Sequence, residues 1–438
     1  MTGGKVGVIS LGCAKNLLNS EQMMYLLRDA GFEVTGETEG VDIVLLNTCG
    51  FIESAKTEAI ETILELGRAK AEGQFRKLIV SGCLTERYKD EILTELPEID
   101  GVIGVGSFAD IVTAVTLVLS DEKPAIFGDI NAPIDEIDRI LTTSPAWAYL
   151  KIAEGCDNRC AFCVIPDIRG RFRSRPMENI LKEARGLAAR GVRELIVIAQ
   201  DSTRYGLDLY KKRSLAELLL KLCEIDDLRW IRLHYLYPAD IDDKLIDVIA
   251  QNDKILKYLD IPIQHVSDNV LKKMRRRGNG SGIRRLIAQL REKIPNLVIR
   301  TSVITGLPGE GDEEFAELCE FLKNARIERA GVFPYSPEEG TAAALMERVD
   351  SDAAMRRAEM VTDIQARIMD DFSHNRLNST VTVLIEGHDG VHYYGRSYAE
   401  SPDIDGYVYV RGDDISLYDF IDVRIIGTEN GEPIGVPV

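Results

Sequence analysis

Three apolar runs near the amino terminus each end in a cysteine and each lead into an amphipathic helical stretch. The runs are VGVISLGC, VDIVLLNTC and KLIVSGC, which end at Cys13, Cys49 and Cys83. Because they are apolar at consecutive positions, they are typical of parallel strands buried on both faces. The pattern predicts a doubly wound α/β domain over residues 1–120. Since such strands open onto one crevice at their carboxyl ends, we expect the three cysteines to converge there.

A second series of apolar runs comes after an acidic, proline-containing stretch, 121–143, that we interpret as a linker. The runs alternate with helical patterns and cover 147–153, 194–200, 229–236, 257–265, 296–306 and 329–336. Six consecutive β–α units predict a full or partial (β/α)6 TIM-like barrel within residues 144–372. The chemistry of such a barrel is expected at the carboxyl ends of its strands.

The last part of the chain begins with a charged helical pattern from about Ser351 to His374. The runs VTVLIEG, VYVRG and IDVRIIG come next, separated by Gly and Asp. Short β-like runs with such turn residues predict a small antiparallel β-barrel over residues 373–438. The chain as a whole is therefore predicted to be an α/β multidomain protein.

The composition excludes two broad classes. The 438 residues are 45 % hydrophobic and 28 % charged, which is neither the polar excess of a disordered chain nor the apolar excess of a membrane protein. The longest apolar run, 111–119, is too short to span a bilayer, and the first residues lack a signal-peptide pattern. We therefore expect a soluble cytoplasmic protein. In that reducing compartment, clustered members of the eight cysteines indicate metal or redox chemistry rather than disulfides.

The most specific motif is EGCDNRCAFCVIPDIRG, in which Cys156, Cys160 and Cys163 have C-x3-C-x2-C spacing just after the first predicted barrel strand. Three thiolates on one loop can hold three corners of a [4Fe–4S] cubane and leave the fourth iron open to a small molecule. The alternative is a zinc knuckle, which normally needs a fourth Cys or His nearby. The next histidine is His234, so the cluster is favoured.

The triad, with Phe162 immediately before its last cysteine, resembles the radical S-adenosylmethionine (SAM) superfamily, in which SAM chelates the open iron. For Cys13, Cys49 and Cys83, taken singly, the simplest interpretation is buried apolar thiols. Because all three leading strands end in a cysteine at the same edge, we favour a second three-cysteine cluster. The remaining two cysteines lie in apolar helical stretches and are predicted core residues: Cys223 and Cys319.

Polar and apolar residues near the predicted strand ends are candidates for binding SAM. Gln264 is assigned to the ribose and Asp201 to the amino-acid end, while Ile304 or Leu307 could flank the adenine. Each polar candidate could equally be a satisfied group that caps a barrel layer. No catalytic residue is predicted beyond the cluster ligands, and the full SAM-binding set is Phe162, Asp201, Gln264, Arg300, Ile304 and Leu307.

Two basic stretches interrupt this acidic chain, RGRFRSR at 169–175 and KKMRRRGNGSGIRR at 272–285. They could bind phosphate or an acidic peptide. A run of charges is more often a solvated face, which is the interpretation we favour for both.

The motifs together resemble the radical SAM methylthiotransferases along essentially the whole chain. The segments YLKIAEGCDNRCAFCVIPDIRGRFRSRP, YLDIPIQHVSDNVLKKMRRRG and RTSVITGLPGE are similar to the branch that modifies a ribosomal protein rather than to its tRNA-modifying relatives. In the tRNA enzymes, Ser-Gly usually stands where this chain has His265 and Val266. The tail corresponds to the TRAM domain of that family.

The resemblance implies two [4Fe–4S] clusters and two uses of SAM. One SAM methylates sulfur held at the cluster on Cys13, Cys49 and Cys83, and a second yields a radical at the other cluster. The radical removes hydrogen from the β-carbon of an aspartate in small-subunit ribosomal protein twelve. The resulting carbon radical then captures the methylthio group, giving 3-methylthioaspartate. The implied partners are that protein, free or in the ribosomal subunit, and an electron donor. No membrane is involved, and nucleic acid is contacted only through the ribosome.

The tail helps to weigh the alternative, which is the same reaction on an adenosine of tRNA. Residues 375–438 hold four Arg, no Lys and eleven acidic residues, a net charge of −7. An RNA-binding barrel needs cations to neutralise phosphates, so the tail favours a basic protein substrate, although an acidic surface also serves solubility. A third alternative is a non-catalytic zinc-bound scaffold or ribosome-assembly factor.

Overall fold

The computed structural model describes residues 3–89, 91–429 and 431–438. Its strands form two six-stranded sheets, one closed barrel and one short two-stranded pair. Over the described residues, no helix combines the length and apolar character that crossing a membrane requires.

The amino-terminal unit is a parallel sheet with the strand order β2-β1-β3-β4-β5-β6. Its strands are β1 (Lys5–Ser10), β2 (Glu33–Thr35), β3 (Val41–Thr48), β4 (Phe75–Gly82), β5 (Gly101–Ile103) and β6 (Ala125–Ile126). Its helices are α1 (Ala14–Asp29), α2 (Glu53–Ala71), α3 (Cys83–Tyr88), α4 (Glu91–Glu95) and α5 (Ile111–Leu119). Apolar side chains of α1 and α5 cover one face of the sheet, and those of α2, α3 and α4 cover the other. The predicted doubly wound domain is confirmed.

The segment that we interpret as a linker is tied to both neighbouring units. It contributes β6 to the amino-terminal sheet, where Val102 pairs with Ala125. Arg139 is buried and forms ion pairs with Glu21 of α1 at 2.5 Å and with Glu183 of the second unit at 2.9 Å. These contacts fix the amino-terminal sheet against the second unit.

The second unit is a partial parallel barrel in which the six main strands are neighbours in chain order. Its strands are β7 (Trp147–Lys151), β8 (Ala153–Glu154), β9 (Arg173–Ser174), β10 (Glu194–Ile198), β11 (Trp230–Leu233), β12 (Ile255–Asp260), β13 (Val298–Thr305) and β14 (Arg329–Pro334). Its helices are α6 (Ile165–Arg169), α7 (Met177–Ala189), α8 (Leu215–Cys223), α9 (Asp243–Gln251), α10 (Asp268–Lys273), α11 (Gly280–Lys293), α12 (Asp312–Ala325) and α13 (Ser351–Asn375). All six predicted barrel strands are confirmed, as is the long charged helix. Each strand is followed by a helix that buries its apolar stripe on the sheet, which forms the largest core of the protein.

The third unit is a closed barrel with the strand order β15-β16-β17-β19-β18. Its strands are β15 (Thr380–His388), β16 (Tyr393–Arg396), β17 (Val408–Val410), β18 (Phe420–Glu429) and β19 (Glu432–Pro437). The small β-barrel is therefore confirmed, with one correction to its pairing, since β17 and β19 run parallel and the other pairs antiparallel.

This small barrel covers the amino-terminal edge of the partial barrel. Glu194, the first residue of β10, is fully buried between Arg232 of β11 at 2.8 Å and Arg396 of β16 at 2.7 Å. Trp230, the first residue of β11, meets the ring of Phe420 with centroids 4.7 Å apart. Because these contacts occupy the amino-terminal edge, the carboxyl edge is left for the amino-terminal unit and for chemistry.

Candidate active site

Three cysteines lie together at the carboxyl edge of the amino-terminal sheet, where β1, β3 and β4 are neighbours. Cys13 precedes α1, Cys49 directly follows β3, and Cys83 begins α3 immediately after β4. Burial raises the pKa of Cys49 to about 11, with a further increase from the nearby thiols of Cys83 and Cys13. The three cysteines therefore follow neighbouring strands at one edge of the sheet, as the parallel topology predicts.

A glycine before the first of these cysteines permits the close approach. Gly12 has a φ of +87°, and a Cβ on it would lie 2.7 Å from Cβ of Cys49. A side chain at this position is therefore excluded both by the left-handed backbone and by the neighbouring cysteine.

The second cysteine triad lies on the loop between β8 and β9, which pair with each other and close the loop at its base. The backbone N–H of Cys156 donates to Gly170 O at 3.1 Å, and that of Cys163 donates to Cys160 O at 3.0 Å. Burial raises the pKa of Cys156 to about 11 and raises that of Cys163 further, with the neighbouring thiols adding to both shifts. Neither thiol would ionise near neutral pH without a metal to stabilise the thiolate.

Each triad also has a guanidinium beside it. Arg169 Nη2 lies 3.5 Å from Sγ of Cys83, and Arg276 Nη1 lies 3.6 Å from Sγ of Cys160. Hydrogen bonds and positive charge at cysteine sulfur stabilise an anionic iron–sulfur cluster. Three thiols and one cation at each triad therefore fit two [4Fe–4S] clusters.

The cysteine loop supplies three thiols, and no His or further Cys lies within the loop itself. A zinc knuckle needs four such ligands around one point, whereas a cubane distributes its cysteines over separate iron atoms.

Arg169 joins the two triads across the boundary between the amino-terminal sheet and the partial barrel. It ends α6, is 2 % exposed, and donates to Glu154 Oε1 of the barrel at 3.0 Å. It also donates to the side-chain oxygens of Asn19, at 3.3 Å, and Asn16, both on α1. Through these contacts one side chain positions the Cys83 edge relative to the strand that leads into the second cysteine loop.

The two basic stretches are only partly solvated, which corrects our interpretation of them. In 169–175, Arg169 and Arg175 are buried, whereas Arg171 is exposed. Arg175 forms ion pairs with Glu136 at 2.5 Å and with Glu183 at 2.6 Å. The physical reason is that carboxylates distant in sequence supply the partners that burial of a guanidinium requires.

The second basic stretch shows the same mixture. Lys272 and Lys273 are exposed, as expected of a solvated face. Arg277 instead pairs with Asp240 and donates to Asn158 Oδ1, within the second cysteine loop, at 2.7 Å. Together with Arg276, it makes this stretch a support for the loop.

The residues predicted to bind SAM form two groups around the second triad, plus one outlier. Phe162, Ile304 and Leu307 belong to one apolar cluster beside the cysteine loop. Gln264 is adjacent to them, because its backbone N–H donates to Ser302 O at 2.8 Å and its carbonyl accepts from Ile304 N at 2.9 Å.

Asp201 lies on the other side of the cysteine loop, where its carboxylate accepts from Asn158 Nδ2 at 2.7 Å. Burial raises the pKa of this carboxyl. The outlier is Arg300, which stands at the third position of β13 and pairs with Asp260 at 2.8 Å. Its Nε is 3.9 Å from Asp405 of the small barrel, so these contacts are away from the apolar group.

The two core cysteines, Cys223 and Cys319, are partly buried against the large core and far in sequence from both triads, as predicted. Three residues of the site were not predicted from the sequence: Arg169, Glu154 and Lys15. The only signal for the first was its position six residues after Cys163, inside a stretch that we took for a charged surface.

Comparison with known proteins agrees with this architecture. The Radical SAM superfamily matches residues 150–322, the TRAM domain matches 379–438, and the family described as Uncharacterized protein family UPF0004 matches 5–104. Among solved structures, the radical S-adenosylmethionine methyltransferase TsrM from Kitasatospora setae is similar in fold. Its TM-score is 0.57 at 14 % identity, over 76 % of this chain and 77 % of that one. The fold and its cysteine loop define a radical SAM enzyme, the class that uses SAM with a [4Fe–4S] cluster.

The curated relatives narrow the class to one family. The ribosomal protein uS12 methylthiotransferase RimO of Acetivibrio thermocellus is 45 % identical, over 98 % of this chain and 98 % of its own. The protein of the same name from Caldanaerobacter subterraneus subsp. tengcongensis is 47 % identical, over 98 % and 99 % of the two chains. The chain belongs to the RimO family of radical SAM methylthiotransferases, whose cofactors are SAM and two [4Fe–4S] clusters.

Proposed function

We propose that this enzyme adds a methylthio group to the β-carbon of an aspartate in ribosomal protein uS12. The names of the relatives support the substrate, and the observation that carries the chemistry is the pair of cysteine triads on two facing edges joined by Arg169. A methylthio transfer must remove a hydrogen atom at one place and deliver sulfur from another. Two thiol-bound sites that are held in a fixed relation meet that requirement. Because ribosomal proteins are assembled there, the cytoplasm is the proposed place of action.

We assign the sulfur-donating site to Cys13, Cys49 and Cys83, and the radical-generating site to Cys156, Cys160 and Cys163. With the two clusters and SAM bound, these sites supply the hydrogen abstraction and the sulfur transfer that side chains alone cannot perform on an unactivated C–H bond. The protein holds the first site against the barrel through Arg169 and Asn16.

The proposed SAM site lies around the second triad. The apolar group Phe162, Ile304 and Leu307 offers a surface for the adenine, and Gln264 is adjacent for the ribose. Asp201 is proposed for the amino-acid end, since it already contacts the cysteine loop through Asn158. Arg300 is proposed to act only indirectly in SAM binding, because its guanidinium is paired with Asp260.

The charge on the small barrel supports a protein substrate over tRNA. Of its four arginines, Arg376 and Arg396 are buried in ion pairs with Glu400 and Glu194, which leaves two exposed guanidinium groups. Seven carboxylates of this unit are exposed among the described residues: Asp389, Asp403, Asp413, Asp414, Asp419, Asp422 and Glu429. This surface repels phosphates and attracts a basic ribosomal protein.

The substrate is tested by incubating anaerobically reconstituted enzyme, SAM and an electron donor with either a uS12 peptide or unmodified tRNA. We expect a mass increase on the aspartate of the peptide that corresponds to replacing hydrogen by a methylthio group. Incorporation into tRNA alone would refute the proposal and favour the tRNA reaction.

The division of labour is tested with two cysteine variants. Cys156→Ala is expected to abolish SAM cleavage, whereas Cys13→Ala is expected to retain cleavage and lose sulfur transfer. Loss of cleavage in both would mean that the two roles are assigned wrongly. Metal analysis of the wild type should find about eight irons, and a colourless protein with stoichiometric zinc would instead indicate a scaffold.

A further inference from the structure

One buried lysine is not paired with a carboxylate among the residues that the structure describes. Among the described residues, three lysines are buried: Lys15, Lys56 and Lys151, which are 6, 8 and 4 % exposed. Lys56 pairs with Glu53 at 2.5 Å, and Lys151 pairs with Glu154 at 2.8 Å. Lys15 has neither a carboxylate nor another hydrogen-bond acceptor within reach of its ammonium in the part of the chain that the structure describes. A carboxylate that binds beside this ammonium would therefore form a charge-assisted hydrogen bond that the described residues do not supply.

The ammonium of Lys15 lies on an aromatic ring. Its Nζ is 3.0 Å from the centroid of the Tyr235 ring. A cation–π contact of this kind positions an ammonium, yet it leaves all three N–H donors without an acceptor. The ring therefore orients the lysine and leaves its N–H donors available for an anion.

The contact between Lys15 and Tyr235 joins the two edges that carry the cysteine triads. Lys15 is two residues after Cys13, in the first turn of α1, while Tyr235 is two residues beyond the end of β11. The same helix packs on the barrel through Leu18, which contacts the cluster around Tyr149. The substrate carbon loses hydrogen at the barrel and gains sulfur from the amino-terminal sheet, so it must lie between these two edges. Lys15 is placed beside that position.

The charged groups around Lys15 favour the binding of an anion. Burial and the positive charges of Arg232, Arg300 and Lys15 hold the pKa of His234, the neighbour of Tyr235, well below its usual range. Arg169 is already engaged with four side chains, whereas Lys15 has an ammonium that remains available for an anion.

We propose that Lys15 binds the side-chain carboxylate of the substrate aspartate and thereby selects an acidic residue for methylthiolation. The inference rests on the proposed function and names the contact by which that function chooses its residue. The carboxylate is bonded directly to the β-carbon that reacts, so holding it also orients that carbon. The adenine base that is modified in the alternative tRNA reaction has no anionic group that could bind Lys15. The carboxylate of SAM is a second source of the same chemistry, and the experiment separates the two.

The test measures binding to the reconstituted holoenzyme with SAM but without reductant, so that no turnover occurs. Two fluorescent uS12 peptides, one with Asp and one with Asn at the target position, are titrated against the wild type and against Lys15→Met, Lys15→Arg and Lys123→Met. Lys123 is exposed, so its variant matches the change in net charge without touching the site. Iron content, melting temperature and the Kd for SAM are measured for every protein.

We expect the wild type and Lys123→Met to bind the Asp peptide about 10- to 100-fold more tightly than the Asn peptide, as a charge-assisted hydrogen bond would give. Lys15→Met should bind both alike, and Lys15→Arg should restore most of the preference. The inference is overturned if the wild type has no preference, if Lys15→Met keeps it, or if Lys15→Met weakens only SAM. By contrast, a wild type that binds the Asp peptide but never methylthiolates it under reducing conditions refutes the proposed function.

Discussion

Replacing Arg169 by Met should weaken the contact between the two edges that carry the cysteines and so lower the free energy of unfolding. The substitution keeps an unbranched side chain but removes the buried guanidinium that donates to Glu154 at 3.0 Å and to Asn19 at 3.3 Å. Glu154 retains Lys151 at 2.8 Å and Gln200 at 2.7 Å, so its charge is not left alone. The amide oxygens of α1 do lose their donor.

The expected cost derives from those contacts. Breaking a buried ion pair by removing one partner costs about 3–5 kcal/mol, and the remaining partners of Glu154 place this case near the lower limit, about 3 kcal/mol. Arg171→Met is the matched control, because Arg171 belongs to the same stretch, is 76 % exposed and approaches Asp157 only at 3.7 Å. Its effect should stay within about 0.5 kcal/mol.

The assay is anaerobic urea unfolding of the three holoproteins, monitored by tryptophan fluorescence, with iron content measured before each titration. Trp147 makes the fluorescence informative, since it is buried in the cluster that α1 forms with β7. We expect a lower midpoint for Arg169→Met and a wild-type midpoint for Arg171→Met. Equal midpoints for the two variants would refute the idea that this guanidinium joins the units.

Two further predictions concern other parts of the molecule. Burial alone would raise the pKa of Glu400, but Arg376 and the other neighbouring cations lower it to about 2. The ionised carboxylate therefore stabilises the fold above about pH 4.5. About 3 kcal/mol of this stabilisation is lost as the pH falls toward 2. Stability measured against pH over this window should fall less steeply for Glu400→Gln than for the wild type, and parallel curves would contradict the assignment. Gly12→Ala should lower iron content from about eight toward about four per chain, because the new Cβ meets Cys49; a full complement of iron would show that the close approach is not required.

The cysteine triads could be predicted from the sequence because both depend on local pattern. The runs that end at Cys13, Cys49 and Cys83 are continuous apolar strands, and parallel topology alone brings their ends to one edge. The second triad lies within eight residues, from Cys156 to Cys163, so its proximity needs no tertiary information.

The charged residues of the site could not be predicted, because their partners are distant in the chain. Arg169 contacts Asn16, which is 153 residues away, and nothing in RGRFRSR distinguishes this arginine from the exposed Arg171. The position of Arg300 was also uncertain from sequence. Arg300 lies within both the predicted run 296–306 and the observed β13, and only the structure shows that its guanidinium is paired with Asp260.

Buried charges are paired differently at the two edges of the partial barrel, and this difference indicates which edge carries the function. At the amino-terminal edge, Glu194 is satisfied by two guanidinium groups and the small barrel is fixed in place. Packing and stability account for every charge in that group. At the carboxyl edge, Arg169 is equally satisfied, but Lys15 is buried against Tyr235 without a carboxylate among the described residues. An ammonium held between two cysteine triads without a carboxylate is a position at which a substrate can supply an anion.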